Sequence, residues 1–159
     1  MIFQLALFGL AAIAAPVTTN APANIVDDAH TIVSLASEIN LQAPPLATLI
    51  SAATPDQAAI QNAFIQLDAV TTQYFDTANN LAAQVAASCN PSLALSSSVQ
   101  NQLAHNAHFT AYMNGLRNSL KEAKFNQASA LAAMARVSDN AGEITKIPGM
   151  TVNRLKYCN

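Results

Sequence analysis

From Gln57 to Cys89 the chain runs for 33 residues with no glycine and no proline, and its apolar side chains return every three or four positions. Ile60, Ala63, Phe64, Leu67, Val70, Tyr74, Phe75, Ala78, Leu81, Ala82 and Val85 fall on one broad stripe. That spacing is the period of an α-helix with one buried face, and it excludes a strand, whose side chains alternate with period two. A helix of about 30 residues is about 45 Å long, so the stripe has to meet partners along that whole length. Thr54-Pro55 just ahead of it reads as an N-cap followed by proline in the first turn, and Cys89-Asn90-Pro91 as the stop.

The other segments have the same character. "NIVDDAHTIVSLASEIN" places Ile25, Ala29, Ile32, Val33, Ala36 and Ile39 on one face, with Asn24 as cap and Asp27 and Asp28 in a first turn where the helix dipole favours them. The prolines of "APP" at 43–45 are expected to end this helix, with "PLATLISAA" as a short one after it. Beyond the connector "NPSLALSSS", Val99, Leu103, Phe109, Met113, Leu116 and Leu120 repeat at helical spacing. Asn101, His105, His108 and Tyr112 gather on the opposite side, and Gly115 weakens the pattern by about 1 kcal/mol of helix propensity. A last helix begins near Lys124, with Phe125, Ala128, Leu131, Ala132 and Ala135 as its inner row, and "IPGMTVNRLKYCN" reads as a tail. The expected fold is an all-α bundle of four to five amphipathic helices with a disulfide-tied C-terminal tail.

The 159 residues suffice for one domain. The chain is 52% hydrophobic but only 6% aromatic and 10% charged, so small side chains dominate the packing and Asn, Gln, Ser and Thr build the polar surface. "MIFQLALFGLAAIAA" is a short apolar run, and Ala12-Ile13-Ala14 fits the small-x-small cleavage pattern. The expectation is a signal peptide at 1–14 and one helical domain over 15–159, secreted and extracellular or cell-wall associated. Pro16 and the polar Thr18-Thr19-Asn20 break the run short of the roughly 20 apolar residues a membrane span needs. In an oxidising compartment Cys89 and Cys158 most simply pair with each other. Such a bridge contributes roughly 4 kcal/mol in the chain-entropy model.

No catalytic constellation emerges. G-x-S-x-G, Cys-x-x-Cys and a glycine-rich phosphate loop are missing, and only four glycines are present. His105 and His108 stand three apart, as two ligands of one metal can, but a third ligand is lacking and they read as part of a solvated face. His30 reads as a surface or partly buried histidine, and Asp27-Asp28 as helix-start charges rather than a paired acid. The expectation is therefore no enzyme, no metal and no cofactor. Nucleic acid is no partner for a chain of net charge −2.

Charge is unevenly placed. Six of the nine acids precede Arg117 and all seven basic residues lie at or after it, leaving −6 on residues 1–116 and +4 on the rest. Arg117, Lys121 and Lys124 border the apolar row of Met113, Leu116 and Leu120. They can hold a carboxylate or phosphate at the rim of a groove, or lay their stems along the apolar row and face acidic helices across the bundle.

In its short apolar leader, its alanine- and serine-rich, nearly uncharged composition and its row of amphipathic helices from Asn24 to about Ile144, the chain resembles the fungal hydrophobic surface-binding protein A and cell-wall galactomannoprotein family. The Cys89/Cys158 pair and the basic end depart from that pattern. The one near match to an N-glycosylation sequon, Asn90-Pro91-Ser92, is excluded by its proline. The resemblance implies a secreted or wall-associated bundle that holds a fatty acid between its helices or adsorbs to hydrophobic surfaces. A secreted helical enzyme inhibitor of the plant invertase type would carry more cysteines near its start.

The stripe of 57–89 then has two readings. If the neighbouring helices close tightly, it is core. If Ala63, Ala78 and Ala82 leave room between Phe64, Tyr74, Phe75, Phe109 and Met113, it lines an elongated apolar tunnel for an acyl chain, with Leu116 in the wall and Arg117 at the rim.

Overall fold

The computed structural model describes residues 21–89, 93–121 and 125–158. The expected signal peptide, Asn90-Pro91-Ser92 and Lys124 lie outside the described residues. Four long helices make up the domain: α1 (Ala23–Ser51), α2 (Gln57–Ser88), α3 (Leu93–Lys121) and α4 (Gln127–Arg154), followed by a 3-10 turn at Leu155–Tyr157. None of the described residues forms a β-strand.

Cross-helix hydrogen bonds define the topology. The start of α1 meets the end of α2 through Asn24 to Gln84 and through Asp28, which accepts from Asn80 and Gln84. Gln61, at the start of α2, donates to the Leu120 carbonyl at the end of α3. Thr151, late in α4, reaches Gln102, early in α3, while Gln127 at the start of α4 donates to the carbonyls of Ile50 and Ala52 at the end of α1. Each helix is thus antiparallel to its neighbours in an up-down-up-down bundle. α1 packs closely on α2 and α4, and α4 on α3; the α2–α3 seam is much looser.

The core explains why the bundle forms. Its buried positions follow a strict 4-3 spacing: Ile25, Ala29, Ile32, Ala36, Ile39, Ala43, Leu46 and Ile50 in α1, and Ile60, Phe64, Leu67, Thr71, Tyr74, Ala78, Leu81 and Val85 in α2. Leu95, Val99, Gln102, Asn106, Phe109, Met113, Leu116 and Leu120 in α3 repeat it, and so do Ala130, Met134, Val137, Ala141, Ile144, Pro148, Thr151 and Leu155 along α4 and its turn. This is the heptad seam of a left-handed bundle, and each large aliphatic side chain buried in it contributes about 1.5–3 kcal/mol. In α1 isoleucine and alanine alternate over the first six positions, so bulky layers interleave with small ones.

Several local expectations are overturned. α1 does not stop at the proline pair but continues through Pro44 and Pro45 to Ser51, so no separate short helix exists. The prolines withhold donors from the carbonyls of Asn40 and Leu41, both exposed residues whose carbonyls water can satisfy. Ala43, Leu46 and Ile50 meanwhile carry the buried row onward. Pro22, not Asn24, precedes α1, and no acid lies in its first turn. α2 is capped by Asp56, which accepts from the backbone N–H groups of Ala58 and Ala59, rather than by Thr54.

The expected connector "LALSSS" is helical, because α3 already begins at Leu93 and buries Leu95 and Ser98. The inner row expected for α4 is on the wrong face: Ala128, Leu131, Ala132 and Ala135 are exposed and Phe125 half-buried, while Ala130, Met134 and Val137 point inward. An alanine-rich helix is weakly apolar all round, so the larger Met134, Val137 and Ile144 choose the buried side. The expected tail is helical as far as Arg154, with Thr151, Val152 and Leu155 buried. Cys158 then pairs with Cys89, 69 residues away, with Cα atoms 5.0 Å apart. The bridge ties the end of α4 to the end of α2, as expected.

Candidate functional site

The side chains that the sequence groups as a ligand-binding row, Phe64, Tyr74, Phe75, Phe109, Met113, Leu116 and Arg117, all line the α2–α3 side of the bundle, but in two clusters. In the middle, the Phe75 ring stands edge-on to Tyr74 and to Phe109, with centroids 5.6 and 6.1 Å apart. Tyr74 and Phe109 are fully buried, whereas Phe75 is half-buried. Towards the end of α3, Arg117 lies over the Phe64 ring, 6.0 Å from its centroid, and forms an ion pair with Asp68 of α2. It also donates to Asn114. Met113 and Leu116 are buried core residues.

The arginine thus takes the second of its two expected arrangements: its head group faces an acid across the bundle. Both partners are about 30% exposed. Water screens such a pair, so it contributes little to stability; its effect is to clasp the loose seam near one end. Lys121 is exposed.

Of the three small residues expected to leave room, Ala78 is buried in the core, and Ala63 and Ala82 are half-buried. Where α2 and α3 draw apart, two partly open clefts form. One, of about 250 Å³, is lined by Phe75, Asn79, Leu103, Asn106, Ala107 and Thr110. The other, of about 90 Å³, lies nearer the disulfide, between Ala82, Val85 and Ala86 of α2 and Ser96, Val99 and Gln100 of α3. A further groove of about 310 Å³ crosses α1 and α4 around Ala47, Ser51, Leu131 and Met134.

The feature that the apolar periodicity conceals is polar. Gln102 and Asn106 occupy two successive heptad positions of α3 and are 3% and 6% exposed. Gln102 Oε1 accepts from the Thr151 hydroxyl at 3.1 Å, and its amide faces the Tyr74 phenol without a well-formed hydrogen bond from Nε2. Neither Nδ2 nor Oδ1 of Asn106 has a partner. Burial raises the Tyr74 phenol above its ordinary pKa, and the neighbouring Gln102 side chain opposes that shift. A polar belt therefore crosses the core from Tyr74 through Gln102 to Thr151, with Asn106 unpaired one turn further along α3. Spacing could have found it, since Asn106 stands seven residues from both Val99 and Met113; reading the row only for apolar residues passed over it.

Of the other candidates, His105 is half-buried and His108 exposed, and no three His, Cys, Asp or Glu side chains gather as a metal site among the described residues. Asp28 serves the α1–α2 contact. No helix among the described residues is long and apolar enough to cross a membrane. Comparison with protein-family models, with curated proteins and with solved structures returns no match.

Proposed function

We propose that this chain is a secreted helical binding protein for a fatty acid or a comparable apolar molecule, and that the ligand lies along the α2–α3 seam. One observation carries the reading: the α2–α3 seam is the loosest of the four helix pairs, is rich in aromatic side chains and is opened by clefts. The α1–α4 groove of about 310 Å³, by contrast, lies on a closely packed pair and carries no aromatic side chain. The larger cleft is just below the roughly 300–1,000 Å³ common for small-molecule sites, so a full acyl chain needs α2 and α3 to part further. The disulfide suits an oxidising compartment, and the likeness to hydrophobic surface-binding and galactomannoprotein chains points in the same direction. Titrating the delipidated protein with a fluorescent fatty acid should give saturable binding at micromolar concentrations, and mass spectrometry of extracts from the native protein should find the ligand. A linear, non-saturating titration would defeat the proposal.

Adsorption to hydrophobic surfaces or the cell wall is the second reading. Leu41 and Ile65 are 74% and 60% exposed, but isolated apolar side chains of this kind are ordinary on helical surfaces. Adsorption therefore requires the bundle to open, and should strengthen when the disulfide is reduced.

A further inference from the structure

We infer that Asn106 recognises the head group of the ligand, and that this head group is uncharged and both donates and accepts a hydrogen bond, as an alcohol or an undissociated carboxylic acid does. The inference rests on the α2–α3 seam being the ligand site. Among the described residues, four buried side-chain polar atoms lack a partner: both amide atoms of Asn106, Nε2 of Gln102 one turn away, and Oε1 of Gln42 elsewhere on α1. Asn106 alone has both of its atoms unpaired and is also part of the wall of the larger seam cleft, whereas the Gln102 amide faces the Tyr74 phenol. The nearby Thr110 hydroxyl has no proton left for Asn106 Oδ1, because it already donates to the Asn106 backbone carbonyl at 2.8 Å.

An unpaired buried amide is destabilising, and a leucine would fill the same heptad position without that penalty. Core positions that break the apolar rule with no compensation inside the protein are where function is expected.

The chemistry of the site selects the head group. A carboxamide offers a donor and an acceptor side by side, which complements a hydroxyl or a protonated carboxyl. A carboxylate would be buried there without a cation: Arg117 lies 11 residues along α3, about 16 Å of helix, and is held by Asp68 and Asn114. Both amide atoms are closed off from solvent, so the ligand reaches them only as α2 and α3 part at this cleft, the same movement that a full acyl chain requires.

The test uses the full delipidated chain and displacement of a fluorescent apolar probe by 1-dodecanol, by methyl dodecanoate, which accepts but cannot donate, and by dodecanoic acid over a range of pH. The alcohol should bind about ten-fold tighter than the ester, and the acid should bind more tightly as the pH falls and its carboxyl takes up a proton. Asn106→Leu should lose about ten-fold in affinity for the alcohol and clearly less for the ester, so that the two bind alike, and should melt at a higher temperature. Equal affinities for alcohol and ester in the wild-type protein would overturn this inference alone and leave the seam as an apolar site. No saturable binding of the probe or of any of the three ligands would overturn both readings. If Asn106→Leu keeps the head-group preference but changes the oligomeric state in sedimentation, Asn106 sets helix register and the inference is wrong.

Discussion

At the scale of single residues, polar groups inside the heptad seam distinguish this bundle from a plain apolar one. Tyr74 is the case that pH can probe. Its hydroxyl sits in a core position beside Gln102, and desolvation disfavours the phenolate more than that amide favours it. The folded protein holds the phenol proton more tightly than the unfolded chain. This contribution to stability is therefore complete below the ordinary phenol pKa of about 10 and declines as the pH rises above it. Melting temperature measured against pH should fall on the alkaline side, and Tyr74→Phe should flatten that fall while leaving the neutral value within about 1 kcal/mol. An alkaline slope identical in the two proteins would show that Tyr74 is not the group responsible.

At the scale of elements, tertiary packing overrides local signals that would end a helix. Pro44 and Pro45 stand on the exposed side of α1, and the Ala43, Leu46 and Ile50 row carries the helix past them. Gly115 likewise sits exposed in mid-α3, with nothing within 4 Å of where a Cβ would be. Gly115→Ala should thus raise stability by about 0.5–1 kcal/mol. Replacing the helix-interior Pro45 by alanine should also stabilise, by up to ~3 kcal/mol before the unfolded-state entropy that proline removes is subtracted. Denaturant midpoints with unchanged slopes would check both. A lower midpoint for Gly115→Ala would mean that this turn of α3 needs a glycine for some reason other than space.

For the whole molecule, stability is unevenly distributed: three helix pairs close tightly, the α2–α3 pair is clasped by Asp68–Arg117 near one end, and Cys89–Cys158 ties the other end of α2 to the segment after α4. Cys158→Ser should leave helical content nearly intact and remove up to roughly 4 kcal/mol of stability. Because Thr151, Val152 and Leu155 remain buried and Arg154 is held to Ser98, trypsin should cut first after the exposed Lys156 and spare Lys146. Early cleavage after Lys146 would show instead that the last turns of α4 depend on the bridge. Opening that end should also speed release of any ligand in the α2–α3 seam.

How much of this could be read without coordinates follows from the range of each interaction. Helix periodicity is local, so the all-α class, the extent of α2 and its stripe, and most of the inner row of α3 are legible in the residues themselves. The cysteine pairing is legible too, since two thiols in an oxidising setting leave one simple partner for each. The cap of α2 is ambiguous locally, since Thr54 and Asp56 are both good cap residues, and the continuity of α1 through two prolines depends on packing that no local signal contains. In α4 alanine makes every face weakly apolar, and only contact with α1 and α3 selects Met134, Val137 and Ile144 as the inner row. The Asp68–Arg117 pair joins positions 49 residues apart, and no local pattern connects them. Asn106 occupies a core position by spacing, yet its missing partners and the loose seam beside it exist only once four helices have taken their places, because both depend on groups that the chain brings together from distant segments.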